Sequence, residues 1–163
     1  MRDETRSRKF PRLRPCWRRL ALKVTRIRAV LTALAVWVHY EGLRFMGDRL
    51  LHLTRRRRIH LLLAVFGALA AHVVEIWLYG LGFYLVLRDG SMGALVGAEG
   101  TVLDCVYFSI SNFTSLGMGD LQPVGPVRFI AGFETLTGLV LITWTASFLF
   151  LEMQKIWTRG NGR

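Results

Sequence analysis

A short segment rich in glycine and hydroxyl side chains, Thr114 to Asp120, holds the residues whose types and spacing could carry chemistry. It reads Thr-Ser-Leu-Gly-Met-Gly-Asp, with Gly117 and Gly119 at alternate positions. Because glycine adopts positive φ without steric cost, alternating glycines let successive backbone carbonyls turn toward one side. A row of carbonyl oxygens can replace the hydration shell of a bare cation. The segment therefore predicts a cation filter; a glycine-rich turn between two helices is the simpler alternative.

Two long apolar segments and one short segment would have to position this filter. Residues 61–87 and 129–153 each contain only two ionisable side chains. At about 1.5 Å per residue, each helix exceeds a hydrocarbon core of about 30 Å. The short segment, residues 102–113, allows only about three helical turns, too few to cross the membrane. We predict an outer helix over 59–87, a pore helix over 102–113 and an inner helix over 127–157.

The order helix, short helix, filter, helix resembles the tetrameric potassium-channel pore family over residues 59–157. The family pattern T-x-G-Y-G-D stands here as Ser115 to Asp120, preceded by Thr114. The pore-helix triplet Tyr107-Phe108-Ser109 is similar to a frequent Y-F-S of that family, and residues 132–138 are similar to the inner helix of a bacterial two-helix subgroup. The resemblance implies an all-α membrane protein that surrounds one central pore as a homotetramer.

The resemblance also implies which groups bind the ion. The filter would be Thr114, Ser115, Leu116, Gly117, Met118, Gly119 and Asp120, with Asp120 at the outer mouth. Potassium ions would be held by the backbone carbonyls of Ser115, Leu116, Gly117 and Met118, with no other cofactor. No nucleophile triad, phosphate loop or metal-ligand cluster is recognisable in the sequence, so we expect no enzyme activity.

Two filter positions depart from the family pattern. Met118 replaces an aromatic residue whose hydroxyl normally braces the filter against the pore helix, and methionine cannot donate that hydrogen bond. Ser115 replaces threonine and keeps only the oxygen. Potassium-selective conduction is the first hypothesis. A non-selective Na⁺/K⁺ channel and a non-conducting membrane subunit or scaffold stay open as alternatives.

The distribution of positive charge predicts the orientation in the cell (inner) membrane. Of the 22 Lys and Arg residues, 17 lie in residues 1–58, and the loop 88–101 carries one. By the positive-inside rule, Arg55, Arg56, Arg57 and Arg58 lie in the cytoplasm and the filter mouth faces outside. Such a basic cluster also attracts anionic lipid headgroups, so we expect lipid contact and no nucleic-acid binding.

The N-terminal region is harder to place. Residues 1–28 are basic, and we expect them to be mobile in the cytoplasm. Residues 158–163 are predicted to form a short cytoplasmic tail. Residues 29–58 include an apolar stretch too short for a comfortable span. An interfacial or partly inserted amphipathic helix is favoured there, because a single crossing would put a basic segment outside. A third span with the N-terminus outside stays open.

Several polar residues at membrane depth are candidates for filter support or gating. His72 and Glu75 are three residues apart and so share one face of the outer helix. Glu134 could accept hydrogen bonds from Ser111 or Asn112 behind the filter. These ionisable groups could give pH-sensitive gating, but holding helices together is the favoured role. Gly138 in the inner helix suits a hinge or close packing equally.

Overall fold

The computed structural model describes residues 15–50 and 57–158. Helix α1 covers Pro15–Phe45 and is followed by a π-helical turn, Met46–Leu50; the other helices are α2 (Arg57–Leu87), α3 (Val102–Phe113) and α4 (Val127–Thr158). Two three-residue strands, β1 (Ala94–Val96) and β2 (Gln122–Val124), complete the described elements. The predicted all-α membrane fold is confirmed.

Two of the described helices are long and apolar enough to cross a membrane. They are Ile59–Leu87 and Val127–Lys155. Only 22% and 28% of their most apolar stretches are buried within the chain. The helices thus keep most of their apolar surface on the outside, as lipid or further copies of the chain would require and unlike the core helices of a soluble protein.

Helix α3 packs between α2 and α4 and delivers the chain to the filter. Thr101 caps its N-terminus. The Thr101 hydroxyl accepts a hydrogen bond from the Asp104 backbone N–H at 3.1 Å, and the Asp104 carboxylate accepts one from the Thr101 backbone N–H at 3.0 Å. This reciprocal cap satisfies two N–H groups that a helix start leaves unpaired. On the α2 side, a Cβ added to Gly80 would lie 2.8 Å from the Val106 Cα. Glycine there allows the two backbones to approach closely.

A small antiparallel sheet, which the sequence reading did not predict, joins the loop before α3 to the segment after the filter. Ala94 pairs with Val124, and Val96 pairs with Gln122. Gly93 has φ +105° and lies directly against the Val124 carbonyl oxygen. A side chain at that position would meet both a steric and a conformational penalty.

Helix α1 lies along the bundle, antiparallel to α2. Its early residue Lys23 contacts Asp89, just past the end of α2, whereas its last turn carries Glu41 and Gly42, the latter close to Ala71. Between them, the Thr32 hydroxyl lies 3.0 Å from the Tyr79 hydroxyl. The partner numbers on α2 fall as those on α1 rise, so the start of α1 lies at the filter end of the bundle.

The contacts with α4 give the same direction. The Arg28 guanidinium lies 4.2 Å from the centre of the Phe133 ring, and further along α1 the His39 ring lies 5.3 Å from the Trp144 ring. Partner numbers on α4 rise with those on α1, so these two helices are parallel. Since α4 is a candidate span, α1 extends alongside it rather than across its end.

Helix α1 thus packs beside the two candidate spans, with its first described turns at the filter end of the bundle. The two placements considered for residues 29–58, at the interface or as a third span, both stay predictions. The boundary at residue 28 differs from the structure, because the helix begins at Pro15; residues 1–14, like 159–163 of the predicted tail, lie outside the described residues. Groups on other helices pair with polar side chains of α1.

The contact between Lys23 and Asp89 supplies a test of this direction. Lys23 Nζ lies 2.6 Å from Asp89 Oδ2. Hydrogen bonds from Lys23 and Ser91 lower the pKa of Asp89 to about 2. Because the folded pKa lies below the ordinary value, the stabilisation is present above about pH 4 and is lost as pH falls through about 2.

We expect a zero-length carbodiimide cross-link between Lys23 and Asp89 in the folded protein, detected by mass spectrometry of the digest. The carbodiimide activates the Asp89 carboxylate, and the Lys23 amine displaces the urea leaving group; because the two groups are already in contact, the amide forms without movement of α1. Asp89→Asn is the matched control and should remove this cross-link alone. Cross-linking of Lys23 to Glu152, the α4 carboxylate that contacts His60 near the start of α2, would contradict the direction of α1.

Candidate ion filter

The backbone of residues 114–120 alternates in handedness. Ser115, Gly117 and Gly119 have positive φ, at 61°, 56° and 82°, and Leu116 and Met118 between them do not. Successive residues of opposite handedness turn their N–H groups to one side and their carbonyls to the other. Ser115 adopts this conformation although it carries a Cβ, which costs energy and is uncommon outside glycine. The segment therefore has the backbone form that a carbonyl filter needs.

The N–H side of this segment is fastened to the pore helix α3. Ser115 donates its N–H to the Asn112 carbonyl at 2.9 Å, and Gly117 donates to the Ser111 carbonyl at 3.2 Å. Met118 donates its N–H to the Ser111 hydroxyl at 3.0 Å. Ser111 thus holds two filter residues, one through its backbone and one through its side chain.

The carbonyl side is free. Within the described residues, no hydrogen bond ends on the carbonyls of Ser115, Leu116, Gly117 or Met118. All residues from Thr114 to Asp120 are exposed, including 64% of Leu116 and 60% of Met118. One chain therefore forms only one side of a possible ion path. An ion in contact with it would need oxygens from other chains to complete its coordination shell.

Comparison with known protein families decides the class. A family model described as "Ion channel" matches residues 59–155, more than half of the chain. The protein belongs to this ion-channel family. The family comprises two-transmembrane-helix channels and includes the potassium-channel pore. Neither the comparison with curated proteins nor that with solved structures gives a match.

Behind the filter of this channel, Glu134 has a different partner from the two that the sequence suggested. Its carboxyl group bonds the Ser109 hydroxyl rather than Ser111 or Asn112. Ser111 is turned toward the filter, while the Asn112 amide donates to the Phe108 carbonyl at 2.9 Å. The prediction missed Ser109 because Ser109 and Asn112 are one helical turn apart on α3. A small rotation of α3 decides which of the two faces Glu134. Tyr107-Phe108-Ser109 was already noted in the sequence, but only as a resemblance.

Glu134 is fully buried, and its Oε2 has no hydrogen-bond partner among the described residues. No described cation lies within ion-pair distance of it either. A charge there would be uncompensated, which membrane and protein interiors disfavour. The carboxyl group therefore serves as a polar contact between α4 and α3, through the Ser109 hydroxyl.

We expect Glu134→Gln to keep the ion flux of the parent within about twofold, because the amide can still bond Ser109. Glu134→Ala should lose about 2–4 kcal/mol of stability, since it removes that bond and leaves a cavity. Flux into liposomes and thermal unfolding in detergent measure both effects. If Glu134→Gln abolished flux or changed its pH dependence, the charge of Glu134 would matter after all.

Gly138 faces the end of the pore helix. A Cβ added there would overlap the Phe113 carbonyl oxygen and lie 2.9 Å from the Phe113 carbonyl carbon. Of the two roles suggested by the sequence, close packing thus has a direct contact in the structure. The hinge hypothesis stays a prediction.

His72 and Glu75 share a face of α2, as their spacing predicted, with His72 Nδ1 2.9 Å from Glu75 Oε2. The structure adds two partners from other helices: His39 on α1, with its Nδ1 2.8 Å from Glu75 Oε1, and Thr145 on α4. The sequence contained one signal for His39. It continues the buried stripe of α1, in which Leu31, Ala35, His39 and Leu43 recur every four residues.

The arginine cluster, residues 55–58, lies at the start of α2. Arg55 and Arg56 lie outside the described residues, and α2 begins with Arg57 and Arg58. The expected contact with lipid headgroups therefore stays a prediction.

Proposed function

We propose that this channel conducts K⁺ selectively through a filter formed by residues 114–120 of four copies of the chain. The proposal rests on one observation: alternate positive φ at Ser115, Gly117 and Gly119, with the N–H groups bonded to α3 and the carbonyls unpaired. Potassium would bind to the carbonyls of residues 115–118, with Asp120 at the mouth. Carbonyl oxygens in this arrangement replace water around the ion.

Selectivity depends on how firmly the carbonyls are held, and the hydrogen bond from the Met118 N–H to Ser111 supports a firm filter. In the resembling family an aromatic hydroxyl braces this position. Here the pore helix supplies a hydroxyl to the backbone instead, at 3.0 Å. The Met118 side chain is then not required for bracing, which favours potassium over a non-selective pore.

A homotetramer is supported by the exposed filter and by the exposed apolar surface of the helices. Phe129, Leu136 and Val140 on α4 are all more than half exposed in the single chain. Three further copies around a fourfold axis would cover such a face and would form four rings of four carbonyls along the filter, of which an ion contacts only the adjacent rings.

We place the filter mouth outside the cell (inner) membrane. Arg55–Arg58 and Lys155 would then lie on the cytoplasmic side, where the arginines contact anionic headgroups, and the loop 88–101 with its single cation would lie outside. Because Lys23 of α1 contacts Asp89 after α2, Lys23 would lie on the outer side as well, against the charge rule. Labelling of Lys23→Cys in intact cells by an impermeant thiol reagent tests the orientation, and labelling only after cell lysis would reverse it.

The proposed function is tested by comparing K⁺ and Na⁺ flux in liposomes for the parent and for Ser111→Ala. The parent should pass K⁺ in strong preference to Na⁺. Ser111→Ala removes the hydroxyl that holds Met118 and should lower that preference about tenfold or more. Ser147→Ala is the matched control, because its hydroxyl bonds only the Thr143 carbonyl of its own helix at 3.1 Å.

Three outcomes separate the alternatives. Equal Na⁺ and K⁺ flux in the parent, made selective by Met118→Tyr, would identify a non-selective channel with a loosely braced filter. Flux in no variant, from a protein that elutes as a tetramer, would favour a non-conducting subunit. A monomer in detergent and in lipid would contradict the fourfold pore itself.

A further inference from the structure

Four polar side chains from three helices meet at the level of the middle of α2, away from the filter. His72 and Glu75 come from α2, His39 from α1 and Thr145 from α4. The side chains of His39 and Glu75 are fully buried, and 13% of the His72 side chain is exposed. One ligand atom from each of His39, His72 and Glu75 can be chosen so that all three lie within 4.8 Å of one another.

These side chains form a closed ring. The two histidine Nδ1 atoms each meet a different oxygen of Glu75, at 2.8 Å for His39 and 2.9 Å for His72. On the far side, both Nε2 atoms face the Thr145 hydroxyl, at 3.4 Å for His39 and 3.0 Å for His72. Every nitrogen of both rings therefore has a neighbour within the cluster.

The proton count of this ring is one short when both imidazoles are neutral. A carboxylate only accepts hydrogen bonds, so both Nδ1 atoms must donate to Glu75. Both Nε2 atoms are then acceptors, and Thr145 has a single proton for the two of them. One buried ring nitrogen is left without a donor, and an unsatisfied buried polar atom is costly.

A metal ion on the Glu75 side removes this shortage. If both Nδ1 atoms bind the ion, each imidazole carries its proton on Nε2, and the Thr145 oxygen can accept from both through its two lone pairs. A hydrogen bond from the second ring nitrogen is what fixes the orientation of metal-binding histidines in general. The Thr145 proton is then available to a carbonyl one turn earlier in α4.

We propose that His39, His72 and Glu75 bind a divalent transition-metal ion of the Zn²⁺ class. Two imidazoles and a carboxylate are a common ligand set for zinc, with a fourth position left for water. Ligands at about 2.1 Å in a tetrahedron lie about 3.4 Å apart. The N–O distances in the ring would thus widen by about half an ångström, which side-chain rotation can supply.

The position of the site determines what an ion would do. It would cross-link α1 to α2, beside one aromatic residue of α4 and one of α3. His39 packs on Trp144 of α4 with ring centres 5.3 Å apart, and His72 packs on Phe113, the last residue of α3, at 5.6 Å. An ion held there restrains the inner helix and the base of the filter, so it should lower conduction.

A groove between α1 and α4 offers a route to the site. It has a volume of about 390 Å³, and its charged lining residues are Arg44, Asp48, Glu152 and Lys155, two of each sign. Trp144 lines the groove and also packs on His39. Rotation of that one side chain would connect the groove to the site.

The test is metal binding to the purified full-length protein, which does not depend on conduction or on the proposed function. Co²⁺ replaces Zn²⁺ in such sites, and its visible absorption reports the ligand geometry. We expect one Co²⁺ per chain with tetrahedral absorption bands, displaced by one equivalent of Zn²⁺. Glu75→Gln keeps the side-chain volume and should abolish binding, and Thr145→Val should weaken it about tenfold to a hundredfold.

His60→Gln is the matched control. His60 also bonds a carboxylate, with its Nε2 3.2 Å from Glu152 Oε2, but it lies near the start of α2, away from the cluster. This variant should bind cobalt like the parent. No cobalt bands in the parent, or equal binding by the parent and Thr145→Val, would overturn the proposal and leave a purely hydrogen-bonded ring.

Discussion

Gly138→Ala is expected to abolish conduction and to destabilise the channel by about 3 kcal/mol per chain. The added Cβ would overlap the Phe113 carbonyl oxygen and lie 3.0 Å from the Phe113 Cα. These are backbone atoms at the end of the pore helix, so they cannot rotate away as a flexible side chain could. Relief would require α4 to move outward or the residues before the filter to shift.

Gly132→Ala is the matched control for this prediction. It lies in the same helix, and within its own chain an added Cβ would meet nothing within 4 Å. Alanine favours helix more than glycine does, so in the single chain this control should be neutral or stabilise by up to about 1 kcal/mol. Thermal unfolding in detergent and flux in liposomes measure both variants. Equal unfolding midpoints and equal flux would show that the contact between α4 and α3 yields easily.

Gly117→Ala is expected to reduce K⁺ flux by at least about tenfold while leaving the fold intact. Gly117 has φ +56°, and no atom lies within 4 Å of an added Cβ. The effect is therefore conformational: an L-residue at positive φ costs about 1–2 kcal/mol. The strain is relieved by a change of φ, which rotates the neighbouring carbonyls away from the pore in every copy.

Gly90→Ala separates that filter effect from backbone strain as such. Gly90 has φ +66° and equally open surroundings, but it lies in the loop after α2. We expect both variants to lose similar stability and only Gly117→Ala to lose flux. Normal K⁺ flux and selectivity in Gly117→Ala would mean that the carbonyls of this segment do not line the pore.

Much of the pore domain could be predicted from the sequence because its signals are local. The apolar length of α2 and α4 and the glycine alternation at Gly117 and Gly119 each depend on neighbouring residues alone. Helix α3 covers the residues predicted for it, since Thr101 and Asp104 form a cap that spans only three positions. Such features can be read without knowledge of the tertiary structure.

The remaining features depend on contacts between residues far apart in the chain. His39 and Thr145 are separated by 106 positions and contact each other, beside His72, through the packing of three helices. No spacing rule connects them, so the sequence suggested only the local pair of His72 with Glu75. The sheet of β1 and β2 was missed for the same reason, because three-residue strands carry too little pattern to recognise.

The polar side chains of α1 illustrate a feature that composition does not contain. Lys23, Arg28 and Thr32 lower the hydropathy of residues 15–45. Each has a partner in the fold: Asp89, the ring of Phe133 and the Tyr79 hydroxyl. Hydropathy counts the polar groups of a segment but not the groups that satisfy them.

The same dependence has a consequence for the synthesis of the protein. The N-terminal helix emerges from the ribosome first, yet the groups that pair with Thr32 and His39 belong to α2 and α4, which are translated later. Only those two later helices are apolar enough, among the described elements, to enter a bilayer by their own composition. We therefore expect α1 to take its place in the bundle only after α2 and α4 have entered the bilayer, so that assembly of this channel runs against the order of its chain.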